Sequence, residues 1–216
     1  MAKLYFKYGA MSSGKSSYLL QAAYNYESSG RTILLTKPSQ DVKSGQKISS
    51  RLGMSRNIDF ITTPDLNLFE HVATLNTELI KNDEKSISCL LIDEAQFLTR
   101  EHVNECLKIA TVLNIPVMCF GLRTDFRAEG FNGSDRLLQL AHSIEEMKNI
   151  CGLCGQAKAT LNGRRINGEF TAKGEKIAID VKSDPTATVQ TNIDYVGLCA
   201  KCYMDNVHKF KNKGKK

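Results

Sequence analysis

Three groups of residues in this 216-residue chain have the types and spacing to do chemistry. The first is Gly9, Ala10, Met11, Ser12, Ser13, Gly14, Lys15 and Ser16, a complete G-x-x-x-x-G-K-[ST] phosphate-binding loop. Its glycines let the backbone curl so that successive N–H groups point at phosphate oxygens, and a helix starting near Gly14 offers its unpaired first-turn N–H groups to the same anion. Lys15 brings a positive charge to the β- and γ-phosphates, and the Ser16 hydroxyl is a ligand for Mg²⁺. The second group is Asp93, Glu94, Ala95 and Gln96, where an apolar run delivers a carboxylate at its end. Asp93 is then expected beside the Mg²⁺ held by Ser16, with Glu94 placed to act as a base on whatever attacks the γ-phosphate. The third is a pair of C-x-x-C knuckles, Cys151 with Cys154 and Cys199 with Cys202. Two residues between cysteines let both sulfurs face one ion, so the two knuckles point to a tetrahedral Cys₄ zinc site rather than a redox pair. Without an open ligand position or a nearby base, that metal is expected to be structural.

The elements that must position these residues follow from hydrophobic pattern. Leu4 to Tyr8 reads as a strand before the phosphate loop, and Tyr18, Leu19, Leu20, Ala22 and Ala23 follow it with helical spacing. Thr32 to Thr36 is a second buried strand, so the chain opens as a βαβ unit with a parallel sheet. The polar stretch from Lys37 to Arg56 reads as a surface loop. A short strand is predicted at Ile58 to Ile61, a helix at Leu66 to Ile80, and a buried strand at Ile87 to Ile92 that ends on Asp93. An amphipathic helix follows around Val103 to Leu113, then a buried strand from Val117 to Gly121, a helix near Ser134 to Ala141, and a strand from Ser143 to Ile150.

Cys89, Cys106 and Cys119 fall on apolar faces and read as small buried hydrophobes. The four histidines, His71, His102, His142 and His208, have no catalytic neighbours in sequence and read as structural. The segment Leu122 to Arg127 leaves its strand at the sheet edge that carries the phosphate loop. Phe126 and Phe131 are therefore candidates for an aromatic pocket, with core packing as the equal alternative. Arg123 and Arg127 either meet phosphate charge or face solvent.

The organisation expected from these patterns is a nucleotide-binding α/β domain over 1–150, a zinc domain with a substrate lid over 151–204, and a basic disordered tail over 205–216. The formal net charge of +6 is concentrated in that tail: without its five final lysines the chain has 24 basic and 23 acidic residues. The remainder lacks the electrostatic footprint of a nucleic-acid binder, and nucleic acid is not an expected partner. No run approaches the roughly 18 apolar residues of a membrane span, and the N-terminus has no signal-peptide pattern. No membrane partner and a cytoplasmic location are the expectation, in keeping with cysteines that do not form a disulfide framework.

The order of phosphate loop, Asp93-Glu94-Ala95-Gln96-Phe97, Gly121-Leu122-Arg123-Thr124-Asp125-Phe126, and two knuckles with Asp194-Tyr195 ahead of the second, resembles the thymidine kinases of the cytosolic (type II) family over roughly residues 3 to 204. The resemblance implies an α/β fold with a P-loop NTPase-type (RecA-like) parallel sheet, helices on both faces, and a small C-terminal zinc-ribbon-like domain with a flexible lid loop. It implies phosphoryl transfer from ATP to the 5′-hydroxyl of thymidine, deoxyuridine as a second substrate, thymidine triphosphate as feedback inhibitor, and a homotetramer. By this resemblance Glu94 and Lys15 are catalytic, Asp93 and Ser16 hold Mg²⁺, and Gly9 through Ser16 with Asp93 and Gln96 bind ATP. Met11, Phe97, Leu122, Phe126, Phe131 and Tyr195 would contact the nucleoside, as would backbone groups around Ile177 and Ile179. Two features depart from the family pattern: the stretch from Asp180 to Asn192 is long, and Cys202 stands where some members carry His.

A nucleic-acid-dependent ATPase is the competing reading, because Asp93-Glu94-Ala95-Gln96 also resembles the D-E-x-x box of helicases. A motor of that kind needs two α/β lobes, and this chain has length for one. A third reading is a zinc-binding interaction module with a nucleotide switch, which would bind nucleotide without turnover.

Overall fold

The structure, a computed structural model, describes residues 1–41, 45–82, 84–174 and 192–208. The expected contacts of Ile177 and Ile179 and most of the basic tail lie outside those residues. By contact the chain divides into two compact units: Met1–Tyr8, Gly14–Arg123 and Gly130–Met147 form the first, and Gly9–Ser13, Thr124–Glu129 and Lys148–Lys216 the second.

The first unit is built on a sheet of six parallel strands. In chain order its elements are β1 (Leu4–Tyr8), α1 (Lys15–Ser28), β2 (Thr32–Pro38), β3 (Lys47–Ser49), β4 (Ser55–Asn57), β5 (Phe60–Thr62), α2 (Leu68–Lys81), β6 (Ile87–Ile92), α3 (Arg100–Thr111), β7 (Val117–Gly121), α4 (Asn132–Leu140) and β8 (Ser143–Glu146). The sheet order is β5-β2-β6-β7-β1-β8 with every pairing parallel.

Alternation explains how helices cover both faces. Ile33, Leu35, Cys89, Leu91 and Phe120 point to the side packed by Leu19, Leu20 and Ala23 of α1. Their neighbours Leu34, Leu90, Ile92, Val117 and Cys119 point to the other, against Val72 of α2, Val103, Cys106 and Ile109 of α3 and Leu137 of α4. Both clusters bury their residues almost completely, so the strands read as continuous apolar runs. Cys89, Cys106 and Cys119 belong to them as small hydrophobes.

Several boundaries differ from expectation for identifiable reasons. α2 starts at Leu68 because the Asn67 side chain accepts from Glu70 N at 3.0 Å and the Glu105 carboxylate accepts from Leu68 N at 2.8 Å. The polar stretch predicted as a loop contains the β3–β4 hairpin, closed by Ser50 N donating to Met54 O at 2.8 Å. Three-residue strands with only Ile48 buried leave almost no periodic trace. β8 ends at Glu146, four residues before the expected Ile150.

His71, His102 and His142 have structural partners, His71 packing edge to face on Phe60 with ring centroids 4.5 Å apart. His142 Nδ1 accepts from Leu4 N, and His102 completes a capping box with Thr99 at the start of α3.

The second unit carries a three-stranded antiparallel sheet, β10-β9-β11, made of β9 (Leu161–Ile166), β10 (Glu169–Thr171) and β11 (Ile193–Leu198), followed by the single turn α5 (Ala200–Tyr203). Among the described residues its apolar cluster holds Cys151, Leu198, Cys199, Tyr203 and Val207, with Leu161, Phe170 and Val196 around them. Among the described residues, no helix is long and apolar enough to cross a membrane.

Candidate active site

In the first unit the carboxyl ends of β1, β6 and β7 are level, since Tyr8 pairs with Gly121 and Ile92 with Cys119. Open parallel sheets collect ligands at such ends. Lys15 is the first residue of α1, after Gly14 in the left-handed region at φ 81°. Asp93 follows β6 directly and is tied by its N–H to Thr36 O at 3.0 Å. The Ser16 hydroxyl donates to Asp93 Oδ2 at 3.2 Å, so the two motifs, 77 residues apart in sequence, meet.

Lys15 and Asp93 are buried and Ser16 and Glu94 half-buried, and the electrostatics reflect it. Burial pulls the Lys15 ammonium below its ordinary pKa, against the pull of Glu94 and Asp93. Burial, helped by the Glu94 charge, pushes the Asp93 carboxyl up to about 7. Glu94 is also raised by burial, opposed by its hydrogen bond from Gln96 and by Lys15. Glu94 also feels Lys37 and Asp41, which pair at 2.9 Å, so the carboxyl groups of Asp93, Glu94 and Asp41 outnumber the buried lysines Lys15 and Lys37, a charge set that a cation would complete. Ser16 Oγ and an Asp93 oxygen are also spaced as neighbouring ligands of an octahedral Mg²⁺, which are about 3 Å apart for bonds near 2.1 Å.

Glu94 has φ 49°, a left-handed conformation uncommon for a residue with a side chain. Such strain persists only where neighbours hold it. Here Glu94 N donates to Asp93 Oδ1 at 3.0 Å, and Gln96 Nε2 donates to Glu94 Oε2. The other end of the Gln96 amide accepts from Leu122 N at 2.9 Å. A Cβ on Gly121 would stand 2.7 Å from Gln96 Oε1, so a glycine is needed for the amide to sit there. Gln96, expected among the ATP contacts, has both ends of its amide engaged with Glu94 and Leu122.

The aromatic candidates divide between the units. In the first, Phe97 and Phe131 meet edge to face with ring centroids 5.6 Å apart, and Leu122 O accepts from Ser134 Oγ at 2.5 Å. In the second, Phe126 is 1% exposed; the Arg164 guanidinium lies 3.8 Å from its ring centroid and the Tyr195 ring 6.5 Å away. Phe126 is thus a packed residue that backs Tyr195. Arg127 is ion-paired with Asp125 and Glu129, and Arg123 lies over the Tyr8 ring within the first unit.

Residues Gly9–Ser13 belong to the second unit. Ser13 N donates to Ala10 O at 3.3 Å, and Ser12 sits at φ 63°. Asn162 Oδ1 accepts from Met11 N at 2.8 Å, and Asn149 Nδ2 donates to Met11 O at 3.2 Å. Sequence reasoning missed both asparagines and Arg164, because nothing near them in the chain marks them.

The four cysteines come together as their spacing predicts. Their sulfurs all lie within 4.8 Å of one another, with Cys154 and Cys199 at 4.0 Å. A tetrahedral zinc with bonds near 2.3 Å has its sulfurs about 3.8 Å apart, so the donor set fits. Local turns build it: Gly155 N donates to Cys151 O, Cys151 N donates to Ala157 O, and Cys199 caps α5 by accepting from Cys202 N. The Cys199 hydrogen bond pushes the Cys202 thiol up to about 12, and a bound dication would favour the thiolates instead.

Comparison with known proteins bears on what this arrangement does. A family model described as thymidine kinase matches residues 2–203. The chain is 47% identical over 180 residues to a thymidine kinase of Lactobacillus acidophilus, covering 83% of this chain and 89% of that one. It is 41% identical over 204 residues to that of Lactococcus lactis, covering 94% and 97%. With the Francisella tularensis protein of the same name, identity is 39% over 209 residues, covering 96% and 100%.

Proposed function

Since the chain belongs to the thymidine kinase family of enzymes, we propose that it transfers the γ-phosphoryl group of ATP to the 5′-hydroxyl of thymidine, and to that of deoxyuridine as a second substrate. The observation that carries this reading is the convergence of Lys15, Ser16, Asp93 and Glu94 in the first unit, with Ser16 bonded to Asp93 at 3.2 Å.

Phosphoryl transfer leaves little covalent work to a protein, so positioning and charge neutralisation carry the catalysis. The loop from Gly9 to Ser16 would cradle the phosphates with its N–H groups, apart from that of Met11, which Asn162 holds, and that of Ser13, which bonds Ala10 O, in a P-loop (RecA-like) arrangement, and Lys15 would meet charge on the transferring group. Ser16 and Asp93 would hold Mg²⁺, which when bound neutralises charge on the β- and γ-phosphate oxygens. Glu94 takes the proton of the 5′-hydroxyl as its oxygen bonds to phosphorus and the bond to the ADP oxygen breaks. Burial favours that step by raising the basicity of Glu94, and Gln96 aims the carboxylate.

Met11, Leu122, Phe97, Phe131 and Tyr195 would form the thymine contacts, with Phe126 supporting Tyr195. The four cysteines would hold a structural zinc within a domain spanning 151–204 that carries a substrate lid. Feedback inhibition by thymidine triphosphate, a homotetrameric assembly and a cytoplasmic location complete the reading.

The test is ADP release from the zinc-loaded protein with ATP and Mg²⁺, run with thymidine, without it, and with single-stranded DNA in its place. Turnover that requires thymidine and yields its monophosphate is expected; stimulation by DNA alone would overturn the assignment. Glu94→Gln should lower turnover by a factor on the order of 10² to 10⁴ with ATP binding nearly intact.

A further inference from the structure

The front half of the phosphate loop is held in place by the small sheet of the second unit. Asn162 on β9 is 3% exposed, and both ends of its amide are used: Oδ1 accepts from Met11 N at 2.8 Å and Nδ2 donates to Thr124 O at 3.0 Å. Directly across the ladder, paired with Asn162, is Gly197 on β11. A Cβ on Gly197 would lie 2.9 Å from Met11 O and 3.3 Å from the Cβ atoms of Ala10 and Ala159. From a third direction Asn149 Nδ2 donates to Met11 O at 3.2 Å.

These contacts decide what the next residue can do. A trans peptide is planar, so holding the Met11 carbonyl also fixes the direction of the Ser12 N–H on the opposite edge of the same plane. Ser12 is at φ 63°, a conformation that costs free energy for a residue with a side chain and lasts only where the surroundings over-determine it. Two asparagines and a missing Cβ supply that constraint. Gly197 is also joined to the first cysteine knuckle, since Gly152 N donates to its carbonyl at 2.9 Å, and Cys199 follows two residues later.

We propose that Asn162 and Gly197 are positioning residues for the phosphate loop: Asn162 fixes the Ala10–Met11 peptide through the Met11 N–H, and Gly197 leaves the Met11 carbonyl the space it occupies, so that the Met11–Ser12 peptide keeps its anion-binding orientation under the order of the sheet that the cysteine cluster closes. This rests on the reading above that the loop binds ATP. Neither residue touches the nucleotide; each acts through the Met11 backbone.

The experiment uses the zinc-loaded chain and two variants, Asn162→Leu, which keeps the branched side-chain skeleton but removes both hydrogen bonds, and Gly197→Ala, which pushes on Met11 O. ATP dissociation constants from calorimetry without thymidine, zinc content and thermal melting are measured on each. Both variants should keep their zinc yet bind ATP at least tenfold more weakly, with KM for ATP rising more than kcat falls. A merely structural role would lower the melting temperature and leave ATP affinity within twofold of the wild type, and that result overturns the proposal. If Asn162→Leu does not fold, Gly197→Ala decides alone. Wild-type protein that binds no ATP would instead overturn the nucleotide reading, and this inference with it.

Discussion

The two units solve the problem of holding reactive groups in opposite ways. In the first, Lys15 at the start of α1 and Asp93 and Glu94 just after β6 stand on elements whose side chains fill two apolar clusters, so a large core fixes them. In the second, the described residues form a three-stranded sheet over a small apolar cluster of Cys151, Leu198, Cys199, Tyr203 and Val207, and four sulfurs gather where a metal could be held. The difference teaches that burial alone can position groups in the first unit, while in the second the cysteine cluster offers a metal ion a place to do the same. It also separates failure modes: the first site should fail by losing chemistry, the second by losing structure.

Removing the metal is the strongest way to break this contrast. A structural zinc contributes roughly 10 kcal/mol or more to the region it ties. Hydrogen exchange on chelated protein should show amides of β9, β10 and β11 losing protection by more than about 10³-fold, a factor of ten for each 1.4 kcal/mol. Protection of β6 and β7 should change little. If both sheets lost protection together, the two units would share one stabilising source and the contrast would fall.

A smaller effect sharpens the other side. Gln96→Leu removes the bond from Gln96 to Glu94 and leaves the half-buried Leu122 N–H without its acceptor. The orphaned donor should cost about 1–3 kcal/mol, while the misaimed base should lower kcat by on the order of tenfold or more, because small displacements of a catalytic group are expensive. Zinc content should be unaffected. Loss of stability with kcat unchanged would mean that Gln96 supports the strand end and not the carboxylate.

The sequence made much of this legible, for reasons that lie in how far information travels along a chain. Lys15 with Ser16, Asp93 with Glu94, and each cysteine pair are contiguous or nearly so, and each motif carries its own geometry: a loop before a helix, a carboxylate after an apolar strand, two sulfurs across a tight turn. The buried strands predicted at Thr32 to Thr36 and Ile87 to Ile92 are legible from short apolar stretches, Ile33-Leu34-Leu35 and Cys89-Leu90-Leu91-Ile92, and are found at Thr32–Pro38 and Ile87–Ile92. What stayed hidden depends on single residues with distant partners. Asn162 acts on Met11 from 151 positions away, and Asn149 from 138; a lone asparagine has no periodicity to betray it. The β3–β4 hairpin was missed because three-residue strands are shorter than any reliable alternation. Phe126 was ambiguous between pocket and core because an aromatic type is equally suited to both, and only the stacked Arg164 shows that it is packed.

The smallest expected effect tests whether the first unit tolerates damage away from its strand ends. Thr99 accepts from His102 N at 3.1 Å, and His102 Nδ1 accepts in return from Thr99 N, so α3 begins with a reciprocal cap. His102 also bonds Leu66 O at 3.0 Å, which ties that helix to the approach of α2. Thr99→Ala should cost about 1 kcal/mol, a fall of roughly 2–4 °C in melting temperature for a protein of this size. Because Leu68, Val103, Cys106 and Ile109 still fill the core beneath α2 and α3, the strand ends should not move, and kcat, ATP affinity and zinc content should stay at wild-type values. A fall in kcat larger than the stability loss would show that the helical layer, and not the sheet alone, sets the position of Asp93 and Glu94.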